Sequence, residues 1–193
     1  MRWNRSKDSK MNYDELCTLV LREFEAEGLQ RAPMQAVADI GIQERSKRFM
    51  LDVGLPSRRI LELSLCLNRG HLPFLSSVTS PVGNLEPYAQ ARCIGKDTDS
   101  VICIDESTGG TIILIDLTGH DQVRFVNSRV EFFGAGLALY HEYCRIGPTV
   151  AEQDIDKYLL SIEYRLRDID AAALASPDTW WALIVEQMKD GLL

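Results

Sequence analysis

Four apolar runs between residues 87 and 127 constrain the fold more than anything else in the chain: PYAQARCIG, SVICIDE, GTIILIDL and QVRFVN. Most are rich in β-branched residues, and each has the length of a strand. The links between them, KDTD, STGG and TGHD, are short and built from Gly, Asp, Thr and Ser with one Lys and one His. A parallel crossover needs about a dozen residues or more, so strands joined this closely pair antiparallel. The chain therefore carries a β-meander. A further strand is expected just before it. In RILELSLCLN, Leu61, Leu63, Leu65 and Leu67 alternate with Glu62, Ser64, Cys66 and Asn68, the two-residue period of a half-buried strand.

Helical spacing dominates on either side of the meander. Leu16, Leu19, Val20, Glu23 and Phe24 predict a helix near residues 12–27, stopped by Gly28. Phe49, Met50 and Val53 form the apolar side of a shorter helix that Gly54 and Pro56 end. After the meander, Ser128 and Glu131 have the S-x-x-E spacing of a capping box. The helix behind them carries Val130, Phe133, Leu137 and Tyr140 on one face, and Gly147-Pro148 breaks it. Ile155, Leu159, Ile162, Leu166 and Ile169 predict the next helix. The last is expected to take Ser176 as N-cap and Pro177 as its first residue. Trp180, Ile184 and Met188 would face the core, Trp181 would be partly exposed or cover the sheet edge, and Gly191 would end the helix. The predicted fold is α+β, a central antiparallel meander flanked by N-terminal and C-terminal helices. Residues 1–10 read as a disordered tail. Residues 11–193 read as a single domain whose C-terminal helical segment begins near 149.

Charge narrows the function. The net charge of −7 divides into +3 over residues 1–10 and −10 over the rest. An acidic body repels phosphate backbones, so direct nucleic-acid binding is not expected, whereas a basic protein partner would be steered toward it. No apolar run approaches the roughly 20 residues of a membrane span, and no apolar stretch follows the basic N-terminus as in a secretory signal. The five cysteines are widely spaced without a CxxC pair, which reads as reduced thiols of a cytoplasmic protein, several on apolar faces.

The segment CIDESTGGTIILID looks like a candidate active site, but its residues do not support one. Adjacent strand residues point to opposite faces, so Asp105 and Glu106 cannot share acid–base work. STGG lacks the lysine and the following helix of a phosphate-binding loop and reads as a turn with Gly109 or Gly110 at positive φ. His141 and Cys144 lie three apart on a predicted helix, yet two ligands do not make a zinc site, and Cys144 reads as a small packed group. No G-x-S-x-G elbow is present. No catalytic residue, cofactor or metal is therefore assigned. What stands out is a set of acids at or near the meander turns: Asp97, Asp99, Asp105, Glu106, Asp116 and Asp121. They are either a solvated rim or a patch for a basic partner.

Three segments, FMLDVGLP (49–56), VICIDESTGGTIILID (101–116) and VRFVNSRVEFFGAGLALY (123–140), resemble the SUKH superfamily and specifically its fourth immunity-protein subfamily. WWALIVEQM (180–188) is similar to the Trp-bearing closing helix of that group. The resemblance runs in pieces over residues 35–190. It departs at Arg129, where the subfamily often has a small polar residue, and over 146–170, an extra or divergent helix. It implies an α+β fold without catalytic residues. It also implies an immunity protein that binds and neutralises a co-encoded polymorphic toxin, often a nuclease or nucleic-acid deaminase with a basic substrate cleft. The alternative it leaves open is an intracellular scaffold or regulatory interaction module. A small hydrolase with a site assembled from remote residues would need a pocket of converging polar groups.

Overall fold

The computed structural model describes residues 11–80, 83–118 and 123–193. Their order is α1 (Tyr13–Phe24), β1 (Leu29–Gln30), α2 (Met34–Ala38), α3 (Glu44–Asp52), β2 (Leu55–Pro56), β3 (Ser64–Leu65), β4 (Arg92–Lys96), β5 (Ser100–Asp105), β6 (Thr111–Asp116), β7 (Val123–Asn127), α4 (Val130–Ile146), α5 (Ile155–Ile169) and α6 (Trp180–Lys189). Strands β3 to β7 form one antiparallel sheet in sequence order, and β1 pairs with β2 in a separate two-stranded ribbon. The α+β fold with helices at both ends is thus the one expected.

The sheet is buried on both faces. Ile94, Ile102, Ile104, Ile112, Leu114 and Val126 face the helices and join their core. Behind the sheet, Leu75, Leu85 and Ala91 from the long β3–β4 connection cover Cys93, Val101, Cys103, Ile113 and Ile115. Short 3₁₀ turns at Leu75–Ser77 and Gly83–Tyr88 let this connection fold back over the sheet, where a continuous strand from residue 87 was expected.

Helix α1 buries the predicted Leu16, Leu19, Val20, Glu23 and Phe24, and Asn12 with Glu15 closes a capping box at its start. Gly54 ends α3 at φ +87°, and a Cβ there would sit 2.2 Å from the Gln30 carbonyl oxygen. The Gly-Leu-Pro turn is therefore what allows β2 to return along β1. Helix α4 is covered on nearly every side from Val130 to Glu142. It runs among α1, α3, α5 and the sheet, so its apolar residues form a cylinder rather than a stripe.

Several expectations are corrected. The strand predicted over 59–68 is broken by Leu61 and Glu62, both left-handed at φ 51° and 63°. Ile60 and Leu63 exchange backbone hydrogen bonds across them, so the chain reverses there and only Ser64–Leu65 joins the sheet. Ser128 and Glu131 do not form a capping box. Ser128 donates its backbone N–H and hydroxyl to Asp170 at 2.7 and 2.9 Å. Glu131 is fully buried and accepts from the Ser46 hydroxyl at 2.8 Å. Helix α6 starts at Trp180 with Thr179 before it, while the Ser176 hydroxyl accepts from Asp178 one turn earlier. Trp181 is more deeply buried than Trp180, and its indole N–H donates to Asn127 at 2.8 Å. Cys144 is exposed rather than packed.

Candidate functional site

In an antiparallel meander alternate turns lie at opposite ends of the sheet, and that separates the acids. The β4–β5 turn holds Asp97 and Asp99, and Asp116 pairs with Ser100 across β5–β6 at the same end. Asp105 and Glu106 lie in the β5–β6 turn at the other end, which at about 3.4 Å per residue is roughly 17 Å away. Asp121 falls in the β6–β7 link and lies outside the described residues, as does His120.

The first end is built from two linked turns. Asp97 accepts from the backbone N–H groups of Asp99 and Ser100 at 2.7 and 2.6 Å and from the Ser100 hydroxyl at 2.7 Å. Asp116 accepts from the Thr118 backbone and hydroxyl at 2.7 and 2.6 Å. The Leu117 N–H donates to the Asp99 carbonyl at 2.7 Å and joins the turns. These bonds hold the Asp97 and Asp116 carboxylates within their turns, and Asp99 is exposed while Asp97 and Asp116 are half-buried. Between them Leu117 leaves 37% of its surface exposed. Leu117 follows Asp116 directly and is bonded through its backbone to Asp99, so an exposed apolar side chain shares this sheet end with the three acids. Sequence reasoning missed Leu117. Its signal was an apolar residue directly after the last acid of β6, inside a turn.

At the second end the acids are occupied within the fold. Asp105 is only 6% exposed. It accepts from the Ser107 backbone and hydroxyl at 3.0 and 2.7 Å, and the Thr108 hydroxyl donates to it as well. Gly109 and Gly110 are both at positive φ, so STGG is the turn expected. Glu106 clamps three segments: it accepts from the Gly41 N–H at 2.6 Å and from Arg92 Nε at 2.7 Å. Arg92 in turn lies 3.8 Å over the Phe74 ring and donates to the Leu72 carbonyl.

Several other groups that could carry chemistry are drawn into the packing. His141 lies between Glu23 and Glu27 of the α1 end at 3.7 and 3.4 Å, and its ring packs tilted against Phe24. Among the described residues no group of three or more His, Cys, Asp or Glu side chains is placed to hold a metal ion. Trp180 and Trp181 pack edge-on against each other, and Trp180 also packs on Phe133 in the core. A shallow cleft of about 430 Å³ beside α5 and α6 contains Glu163, but its carboxylate is held by Lys189 at 2.7 Å and Arg167 at 3.1 Å. The Lys189 hydrogen bond keeps Glu163 below the ordinary carboxylate value. Among the described residues no helix is long and apolar enough to cross a membrane.

The chain matches no curated protein and no solved structure. A family model described as SUKH-4 immunity protein matches residues 18–187. That span begins within α1, includes the 146–170 segment that was expected to be extra or divergent, and ends within α6. It takes in the Gly-Leu-Pro turn, the whole meander, the Asn127–Ser128 junction and the paired tryptophans, and the chain belongs to the SUKH-4 immunity protein family.

Proposed function

We propose that this chain neutralises a cognate polymorphic toxin in the cytoplasm by stoichiometric binding, without catalysis, and that the toxin is a basic, nucleic-acid-processing domain. The acidic sheet end would seat in the toxin's substrate cleft and exclude the nucleic acid. The observation that carries this reading is that Asp97, Asp99 and Asp116 share one sheet end with exposed Leu117, on a body with net charge −10 outside its first ten residues. Asp121, in the same β6–β7 link, is the fourth acid of the proposal. Asp105 and Glu106 serve the fold in this reading, since their carboxylates are engaged by Ser107, Thr108, Gly41 and Arg92. Fixed carboxylates attract a basic cleft from a distance and cost little ordering when the complex forms.

The test is the association rate with the toxin encoded beside this chain's gene, measured by stopped flow over a range of salt concentrations. Asp99→Lys combined with Asp97→Asn and Asp116→Asn keeps acceptors in both turns while reversing or removing three charges. Association should slow by about tenfold or more and lose most of its salt dependence. Equal rates for wild type and variant would remove this sheet end from the interface.

A further inference from the structure

Two buried thiols face each other across the first hairpin of the meander. Cys93 of β4 and Cys103 of β5 are direct partners in the strand register, and their sulfurs are 3.4 Å apart. The Cys93 N–H donates to the Pro73 carbonyl, away from β5, so the two cysteines form a non-hydrogen-bonded pair. In such pairs the side chains are closest and the Cα atoms lie about 4.5 Å apart, inside the roughly 4.4–6.8 Å that a disulfide spans. The β4–β5 register shifts immediately after Cys93, which loosens the ladder beside it. Cys103 is sealed at 0% exposure, but Cys93 lines a cleft of about 160 Å³ that opens to solvent. Cys66, Pro73 and Val78 form its walls with Cys93, and Arg69 and Lys96 add positive charge.

We propose that Cys93 and Cys103 are a redox modification site, in which a hydroperoxide admitted through this cleft closes the pair to a cross-strand disulfide. The Cys93 sulfur attacks a peroxide oxygen; the S–O bond forms, the O–O bond breaks, and the departing hydroxide is protonated to water. Cys93 is then a sulfenic acid and the peroxide is reduced. The Cys103 sulfur attacks the Cys93 sulfur, forming the S–S bond and releasing a second hydroxide, which takes the thiol proton. The balance is two thiols and one hydrogen peroxide giving one disulfide and two waters. The order of attack follows from the environment. The hydrogen bond from Cys103 lowers Cys93 below the ordinary thiol value, while that bond and burial raise Cys103. The low-pKa thiol at the cleft is the attacking one, and the sealed thiol resolves it. The closed ring would enclose the Asp97–Ser100 turn and hold it rigid.

The experiment is a non-reducing peptide map of the folded full chain after treatment with limiting hydrogen peroxide. Alkylatable thiols under denaturing conditions should fall from five to three, with a Cys93–Cys103 linked peptide as the first product, reversed by dithiothreitol. In Cys103→Ser, Cys93 should instead be captured by dimedone as a sulfenic acid. A first product linking Cys66 to Cys93 overturns the proposal, as does oxidation of exposed Cys144 while Cys93 and Cys103 remain alkylatable. If Cys103→Ser does not fold, the wild-type map alone decides between these results.

Discussion

Asp170 holds the junction between sheet and helices. It closes α5, is 6% exposed, and accepts from the Asn127 amide and from both the backbone and the hydroxyl of Ser128. Asn127 extends the connection by accepting from the Trp181 indole. A buried donor left without an acceptor costs about 1–3 kcal/mol. Asp170→Ala leaves three donors, two of them on half-buried Ser128, and should destabilise the chain by about 3 kcal/mol, read as a lower urea midpoint at constant slope. A loss under about 0.5 kcal/mol, the range of a neutral surface change, would mean that water replaces the carboxylate. The same network explains why a capping box was read at Ser128 and Glu131 and is not there. Each side chain has a partner far away in sequence, Asp170 at 42 residues and Ser46 at 85. Local spacing registers only local partners. The burial of Trp181 was hidden for the same reason, since Asn127 lies 54 residues before it.

Helix α4 carries the packing between layers, and its two inner glycines set the approach of its neighbours. A Cβ at Gly134 would lie 2.7 Å from the Phe49 ring of α3, and one at Gly136 would lie 2.6 Å from the Trp181 ring of α6. Helix propensity alone favours Gly136→Ala by about 1 kcal/mol. Overpacking a buried ring costs about 1–3 kcal/mol, and here the ring is fixed by its hydrogen bond to Asn127. Gly136→Ala should therefore lower the melting temperature and alter the near-ultraviolet circular dichroism of the tryptophans. A more stable variant would show that Trp181 has room to shift. The elements were legible where one face differs from the other. The meander announced itself by β-rich runs and short turns, and α1 and α5 by amphipathic spacing. In α4, buried all round, a helix was correctly read but a single core face was not the right description. At Leu61–Glu62 alternation continued through a chain reversal, because neither residue is the Gly or Asn that marks left-handed backbone.

Across the whole molecule, α1, α4 and α5 are tied by a network of charges at their common contact. Glu142 of α4 accepts from Arg165 of α5 through both of its oxygens and from Arg22 of α1 at 3.1 Å. Arg145 of α4 returns to Glu23 of α1 at 3.0 Å. Burial pushes the Glu142 carboxyl up, but the Arg165 hydrogen bond with the charges of Arg165, Arg22 and Arg145 outweighs it and holds the group below the ordinary carboxylate value. A depressed folded value stabilises the native state fully above the unfolded value of about 4.3, and that contribution is lost as pH falls through the folded value. Glu142→Gln should lower stability at neutral pH and flatten its decline below about pH 4. An unchanged acid limb in the variant would assign that limb to other carboxylates. In the proposed function the acidic balance matters because Asp97, Asp99 and Asp116 lie at one end of the sheet, beside exposed Leu117. Their division between two sheet ends was invisible in composition and followed only once the strand order was known. In the proposed function this chain neutralises a toxin by binding it. The direct measurement is growth of cells expressing the cognate toxin domain, with and without this chain. The account predicts that co-expression restores growth and that the two proteins purify together as a 1:1 complex. Undiminished toxicity in the presence of folded, expressed chain would contradict it.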